Sequence, residues 1–65
     1  MRMCYVYMKR EPSPIVIRGY TKHKLNIFGF SIFFCEGYQY QIWTKDIEYF
    51  KIENTEGLKM VMPNE

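Results

Sequence analysis

Apolar and polar residues alternate along much of this chain with a period of two, the pattern of strands whose successive side chains face opposite ways. Met3 to Met8 opens the series, with Cys4, Val6 and Met8 on one face and Met3, Tyr5 and Tyr7 on the other. Both faces are apolar, which predicts a central strand or a covered edge. Pro12-Ser13-Pro14 ends it, because two prolines remove two ladder donors and stiffen the connection. Ile15 to Thr21 predicts a second strand, with Ile15 and Ile17 facing one way and Val16, Arg18 and Tyr20 the other. Gly19 within it marks a bulge or a close backbone approach. Lys22-His23-Lys24 reads as the turn that follows.

Leu25 to Cys35 predicts a long third strand. Phe28, Phe30, Ile32 and Phe34 form its heavier face and the expected core side, leaving Phe33 outward, and Gly29 is placed to bend it as a barrel corner requires. Glu36-Gly37 closes a hairpin into Tyr38–Trp43, where Tyr38, Tyr40 and Ile42 are expected inward and Gln39, Gln41 and Trp43 outward. Thr44-Lys45-Asp46 reads as a turn. Ile47 to Glu53 fits a strand by residue type, or a short helix over 45–53 capped by Thr44 or Asp46. Asn54-Thr55-Glu56-Gly57 predicts a turn and Leu58 to Met62 a last strand, stopped by Pro63.

Composition strengthens this picture. The 65 residues include no alanine and two leucines, against seven Ile, three Val, three Thr and twelve aromatics, so helix formers are scarce and strand formers abundant. The expected fold class is all-β: a single small domain of five or six antiparallel strands in a meander, closing as an SH3-like or OB-like barrel and so removing its edges. Twelve aromatic rings exceed what so short a chain encloses. The surplus points to a homodimer or a constitutive partner.

The first residues turn charged at Lys9 and Arg10 before an apolar stretch of leader length forms, and the longest nearly uncharged run, Leu25 to Cys35, is too short to span a bilayer. The expected compartment is cytoplasmic, with no membrane partner. Cys4 and Cys35 read as two reduced, buried thiols, with a cross-strand disulfide as the other option. Charge is polarised: Arg2, Lys9, Arg10, Arg18, Lys22 and Lys24 face Glu11 alone in residues 1–24, a net of +5, whereas residues 25–65 carry a net of −3.

Catalytic groups are few. His23 is the only histidine and lies between two lysines, and the serines offered to it, Ser13 and Ser31, sit between prolines and in a strand. One His and two distant Cys do not make a metal set, and the glycines at 19, 29, 37 and 57 are too scattered for a phosphate loop. Glu48 and Glu53 read as part of a solvated charged face. The expectation is no enzyme, no cofactor and no metal.

Asn26-Ile27-Phe28-Gly29-Phe30-Ser31-Ile32-Phe33 resembles the RNP1 octapeptide of RNA-recognition motifs and the Lys-Gly-Phe-Gly-Phe core of cold-shock barrels. Phe28, Gly29, Phe30 and Phe33 fit the pattern, while Asn26, Ile27 and Ser31 depart from it. The resemblance implies aromatic rings on an exposed sheet face, stacking on unpaired bases. Ile52-Glu53 followed by Gly57-Leu58, Met60 and Met62-Pro63 is similar to the hairpin of the SpoVG septation proteins, which bind DNA, although that family's following basic stretch and helix have no counterpart here.

The principal functional expectation is a small non-catalytic protein–protein interaction module. Its contact residues would be Arg18, Tyr20, Phe33, Gln39, Gln41 and Trp43, since aromatics with arginine anchor interfaces. By analogy with other tiny single-domain proteins, this would be a phage or mobile-element inhibitor of a host protein, of the anti-defence or anti-CRISPR type. The alternative is a single-stranded nucleic-acid-binding domain, with Arg2, Lys9, Arg10, Arg18, Lys22 and Lys24 on phosphates and Phe28 and Phe30 under bases. A third reading is an assembly subunit that pairs strand edges with another chain.

Overall fold

Cys4, Val6, Ile17, Phe50 and Ile52 project from one sheet onto Tyr20, Phe33, Cys35 and Ile42 of a second, and these side chains with Ile47 make the buried core. The computed structural model describes residues 2–54 and 57–63. The described residues form seven strands: β1 Met3–Met8, β2 Ile15–Arg18, β3 Tyr20–Ile27, β4 Phe30–Cys35, β5 Tyr38–Trp43, β6 Ile47–Asn54 and β7 Gly57–Val61. All pairings are antiparallel, in a four-stranded sheet of order β2-β1-β6-β7 and a three-stranded sheet of order β3-β4-β5. The fold is therefore all-β, with two strands more than the lower sequence expectation and one more than the upper. It is not a simple meander, since β1 pairs with β6 from the far end of the chain.

Two short corners pass the chain between sheets. Gly19 (φ 71°) separates β2 from β3, and its N–H and that of Tyr20 both donate to the Arg2 carbonyl at 3.1 Å. The glycine break expected in the second strand is this corner. One turn of 3₁₀ helix, Thr44–Asp46, carries β5 into β6. The helix alternative for 45–53 is overturned: Ile47–Asn54 is a strand paired on both sides, because its β-branched and aromatic residues bury one face against the core.

Two further expectations are corrected. Lys22-His23-Lys24 is not a turn but the middle of β3, paired with Phe34, Phe33 and Ile32. Leu25 to Cys35 is not one strand but a hairpin, because Ile27 pairs with Phe30 around a two-residue turn made by Phe28 (φ 54°) and Gly29 (φ 86°). Positive φ at both positions is the type I′ geometry whose twist suits paired strands. That turn also settles the face of β4. Ser31, Phe33 and Cys35 are buried and Phe30, Ile32 and Phe34 face out, the reverse of the expected core side.

The hairpin at Glu36-Gly37, the bounds of the strand Tyr38–Trp43 and the central position of β1 agree with the sequence reading, but Tyr38, expected inward, is exposed where the strand leaves the hairpin turn. The turn expected at 54–57 has its two middle residues outside the described part, and Asn54 pairs with Gly57 at its base. Cys4 and Cys35 are separate buried thiols. Among the described residues, no helix is long and apolar enough to cross a membrane.

Candidate functional site

Residues paired across antiparallel strands share a face, so register alone defines the solvent side of the three-stranded sheet. Three rows cross it: Lys22–Phe34–Gln39, Lys24–Ile32–Gln41 and Ile27–Phe30–Trp43. His23, Phe33, Cys35, Tyr40 and Ile42 take the opposite, core-facing side. The outer side thus carries a stripe of Phe34, Ile32, Phe30 and Trp43, flanked by two lysines along one edge and two glutamine amides along the other. No carboxylate belongs to these rows.

The rings on this stripe are already ordered by one another. Phe30 and Trp43 stack with centroids 4.0 Å apart and planes 26° from parallel. Trp43 nevertheless remains 49% exposed. Lys22 Nζ lies 5.0 Å from the Phe34 ring centroid, and Lys45 Nζ lies 6.0 Å from that of Trp43, both within range of a cation–π contact. The tip of the β3–β4 hairpin abuts the same stack. A Cβ on Gly29 would come within 3.3 Å of Trp43 Cζ3, and the Thr44 N–H donates to the Gly29 carbonyl at 2.9 Å. Glycine is needed here both for its positive φ and to let the indole lie against the turn.

The residues singled out in the sequence scatter over the molecule. Gln39, Gln41 and Trp43 share the outer face of the three-stranded sheet as expected. Phe33 does not point outward; it is wholly buried. Tyr20 is also buried, with its hydroxyl 2.6 Å from His23 Nδ1 and the Arg2 guanidinium 5.1 Å from its ring centroid. Arg18 lies across the molecule's other sheet, opposite Met3. Lys9 and Arg10, with Lys45, Glu11, Asp46 and Met8, line a shallow cleft of about 400 Å³ at the end of β1. Of the cations proposed for phosphates, Lys22 and Lys24 alone belong to the aromatic rows, together with Phe30, and Phe28 stands at the hairpin tip. Sequence reading missed Ile32, Phe34 and Lys45. The first two followed from assigning β4 the wrong face. The signal for Lys45 was its place two residues beyond the outward Trp43.

Reactive groups lie elsewhere. His23 turns inward, edge-on to Phe50 with centroids 4.9 Å apart, and burial with nearby Lys59 lowers its pKa. The Ser31 hydroxyl is buried and 2.6 Å from Thr44 Oγ1. Burial pushes the Cys4 thiol up to about 12, which makes it a poor nucleophile. Among the described residues, no group of three or more His, Cys, Asp or Glu could hold a metal ion. The outer face offers flat rings for stacking, amides for hydrogen bonds to polar edges, and ammonium groups for anions. No family model, no curated protein and no solved structure matches this chain.

Proposed function

We propose that this protein is a non-catalytic module that binds single-stranded nucleic acid on the outer face of β3, β4 and β5. The observation that carries this reading is the stacked Phe30–Trp43 pair in rows that hold Lys22 and Lys24 and no carboxylate, with Lys45 over the indole. Stacked rings under a positive rim are what unpaired bases and their phosphates require, and they tolerate any base because every base has a π face. Gln39 and Gln41 line the far edge, where amides meet the polar edges of bases. The strand connectivity supports an SH3-like form of barrel, with β2–β3 as one strand bent at Gly19 and the 3₁₀ turn before β6 as the second corner. Such a fold presents a curved sheet face of this kind to a ligand.

The test is anisotropy of a fluorescent oligothymidylate titrated with the protein across a salt series. Three lysines on phosphates give a log–log salt slope of about −2 for a single strand. Trp43→Ala is expected to weaken binding by about tenfold or more, the worth of one stacked base. Absence of binding at low salt, or binding indifferent to both Trp43→Ala and Lys22→Ala, overturns this reading.

A second reading, a protein partner, is favoured by the opposite side of the molecule. On the outer face of the four-stranded sheet, Val16, Tyr5, Lys51 and Met60 form one row, and Arg18, Met3, Glu53 and Leu58 the next. Leu58 and Met60 are 58% and 60% exposed, and Tyr7 stacks on Tyr49 with centroids 4.7 Å apart. Exposed aliphatics mixed with charges of both signs suit a protein surface. Met60→Glu is expected to abolish capture of such a partner, or self-association in sedimentation, while leaving oligonucleotide binding intact.

A further inference from the structure

We infer that Phe28 is a ligand-contacting residue, a rigid ring at the hairpin tip on which an unpaired base stacks, extending the Phe30–Trp43 platform by one base. This rests on the nucleic-acid reading above. Phe28 is 95% exposed, so its ring gains almost nothing from burial within the chain. It also sits at φ 54°, in the left-handed region where a bulky side chain is an outlier. A type I′ turn is best made by Asn-Gly, Asp-Gly or Gly-Gly, all of which this position forgoes. An exposed, strained aromatic contributes to neither fold nor solubility, and strain of this kind concentrates at binding sites.

The surroundings hold the backbone of the turn in place. The neighbouring Gly29 packs against the Trp43 indole, and its carbonyl receives the Thr44 N–H. On the other side Asn26, itself at φ 59°, donates from Nδ2 to the Pro63 carbonyl at 3.3 Å. The tip is thereby tied to the turn that carries Lys45 and to the segment after β7. The clamped turn therefore loses little backbone freedom when a base lands on the Phe28 ring. The absence of carboxylates from the adjoining rows and the presence of Lys22, Lys24 and Lys45 make this face complementary to an anionic ligand.

The experiment compares wild type, Phe28→Gly, Phe28→Trp and Trp43→Ala for thermal unfolding and for binding of the labelled oligothymidylate at fixed low salt. Phe28→Gly is expected to raise the melting temperature by about 4–8 °C by relieving the strained φ. It is also expected to weaken binding about tenfold with an unchanged salt slope, because a ring and not a charge is lost. Phe28→Trp retains the affinity. A more stable Phe28→Gly protein that binds as wild type, while Trp43→Ala loses binding, overturns this inference and leaves the platform reading standing. A wild type that ignores the oligonucleotide overturns both.

Discussion

Phe33 and Phe50 meet edge to face across the two sheets, their centroids 4.9 Å apart and their planes at 87°, and neither ring touches solvent. This contact joins the inner faces at the middle of β4 and β6, with His23 packed edge-on to the same Phe50 ring. Phe33→Ala is expected to cost about 3–5 kcal/mol, the transfer term plus a cavity that rigid strands close poorly. Domains gain only about 0.05–0.15 kcal/mol of stability per residue, so that variant is expected to lose about a third or more of its stability and to unfold at a much lower urea concentration. Phe33→Leu, losing less volume, should fold with a deficit of about 1 kcal/mol or somewhat more in urea titration. A Phe33→Ala protein as stable as wild type would contradict the buried placement of the ring.

Gly29 and Gly37 form a matched pair, since both have φ 86° but differ in surroundings. A Cβ at Gly37 meets nothing within 4 Å, whereas one at Gly29 meets Trp43 Cζ3 at 3.3 Å. Gly37→Ala therefore measures the conformational cost alone, about 1–2 kcal/mol. Gly29→Ala is expected to cost more and, unlike Gly37→Ala, to shift Trp43 fluorescence, because the indole must move off the turn. Equal losses and unchanged emission in both variants would show that the indole does not rest on Gly29.

Much of the fold was legible because period-two patterning and residue type both report strands. Met3–Met8 and Tyr38–Trp43 are examples where pattern, flanking turn residues and structure agree. The β3–β4 hairpin was not legible, because Phe28 occupies a left-handed turn position normally taken by Asn, Asp or Gly. Without that turn, Leu25–Cys35 reads as a single strand and the parity of β4 cannot be set by its own residues. Both of its faces are apolar, Phe30/Ile32/Phe34 on one side and Phe33/Cys35 on the other. Only the register with β5 separates them, where Phe33 opposes Tyr40 and Ile32 opposes Gln41. The outward face suffered from the same ambiguity: Trp43, Gln39 and Gln41 were placed outward by the clean alternation of β5, while Phe33 was taken for Phe34. His23 was misplaced because flanking lysines suggest a solvated turn, yet in a strand they and the histidine occupy opposite faces.

Ser31 and Thr44 hold the start of β4 to the 3₁₀ turn through hydroxyls 2.6 Å apart. Ser31 is fully buried and is the one buried polar side chain among the described residues, while Thr44 is half-buried. Ser31→Ala is expected to cost about 1 kcal/mol, the net worth of a hydroxyl hydrogen bond. Thr44→Val should cost a similar amount or more, because it leaves the buried Ser31 oxygen without its partner. The double variant is expected to cost less than the two single losses added together, and a coupling near zero in that cycle would show that the two hydroxyls do not interact.

Acid sensitivity follows from His23. Its Nδ1 lies 2.6 Å from the Tyr20 hydroxyl, and in the neutral ring protonated at Nε2 it accepts that hydroxyl's hydrogen. Burial foremost, and then the positive charge of Lys59, lower its pKa from the ordinary 6.5. The unfolded chain therefore binds a proton at a higher pH than the folded one does. Between the two pKa values the unfolded state holds more protons, so stability rises with pH there. The contribution is complete above about pH 6.5 and is lost as pH falls toward the folded-state value. Urea midpoints are expected to hold steady from about pH 8 to 7 and to decline as pH falls below about 6.5. His23→Gln keeps a hydrogen-bonding group beside Tyr20 but cannot titrate, so its midpoint should stay nearly level over the same interval. A wild type and a His23→Gln variant that decline in parallel would assign the acid sensitivity to other groups.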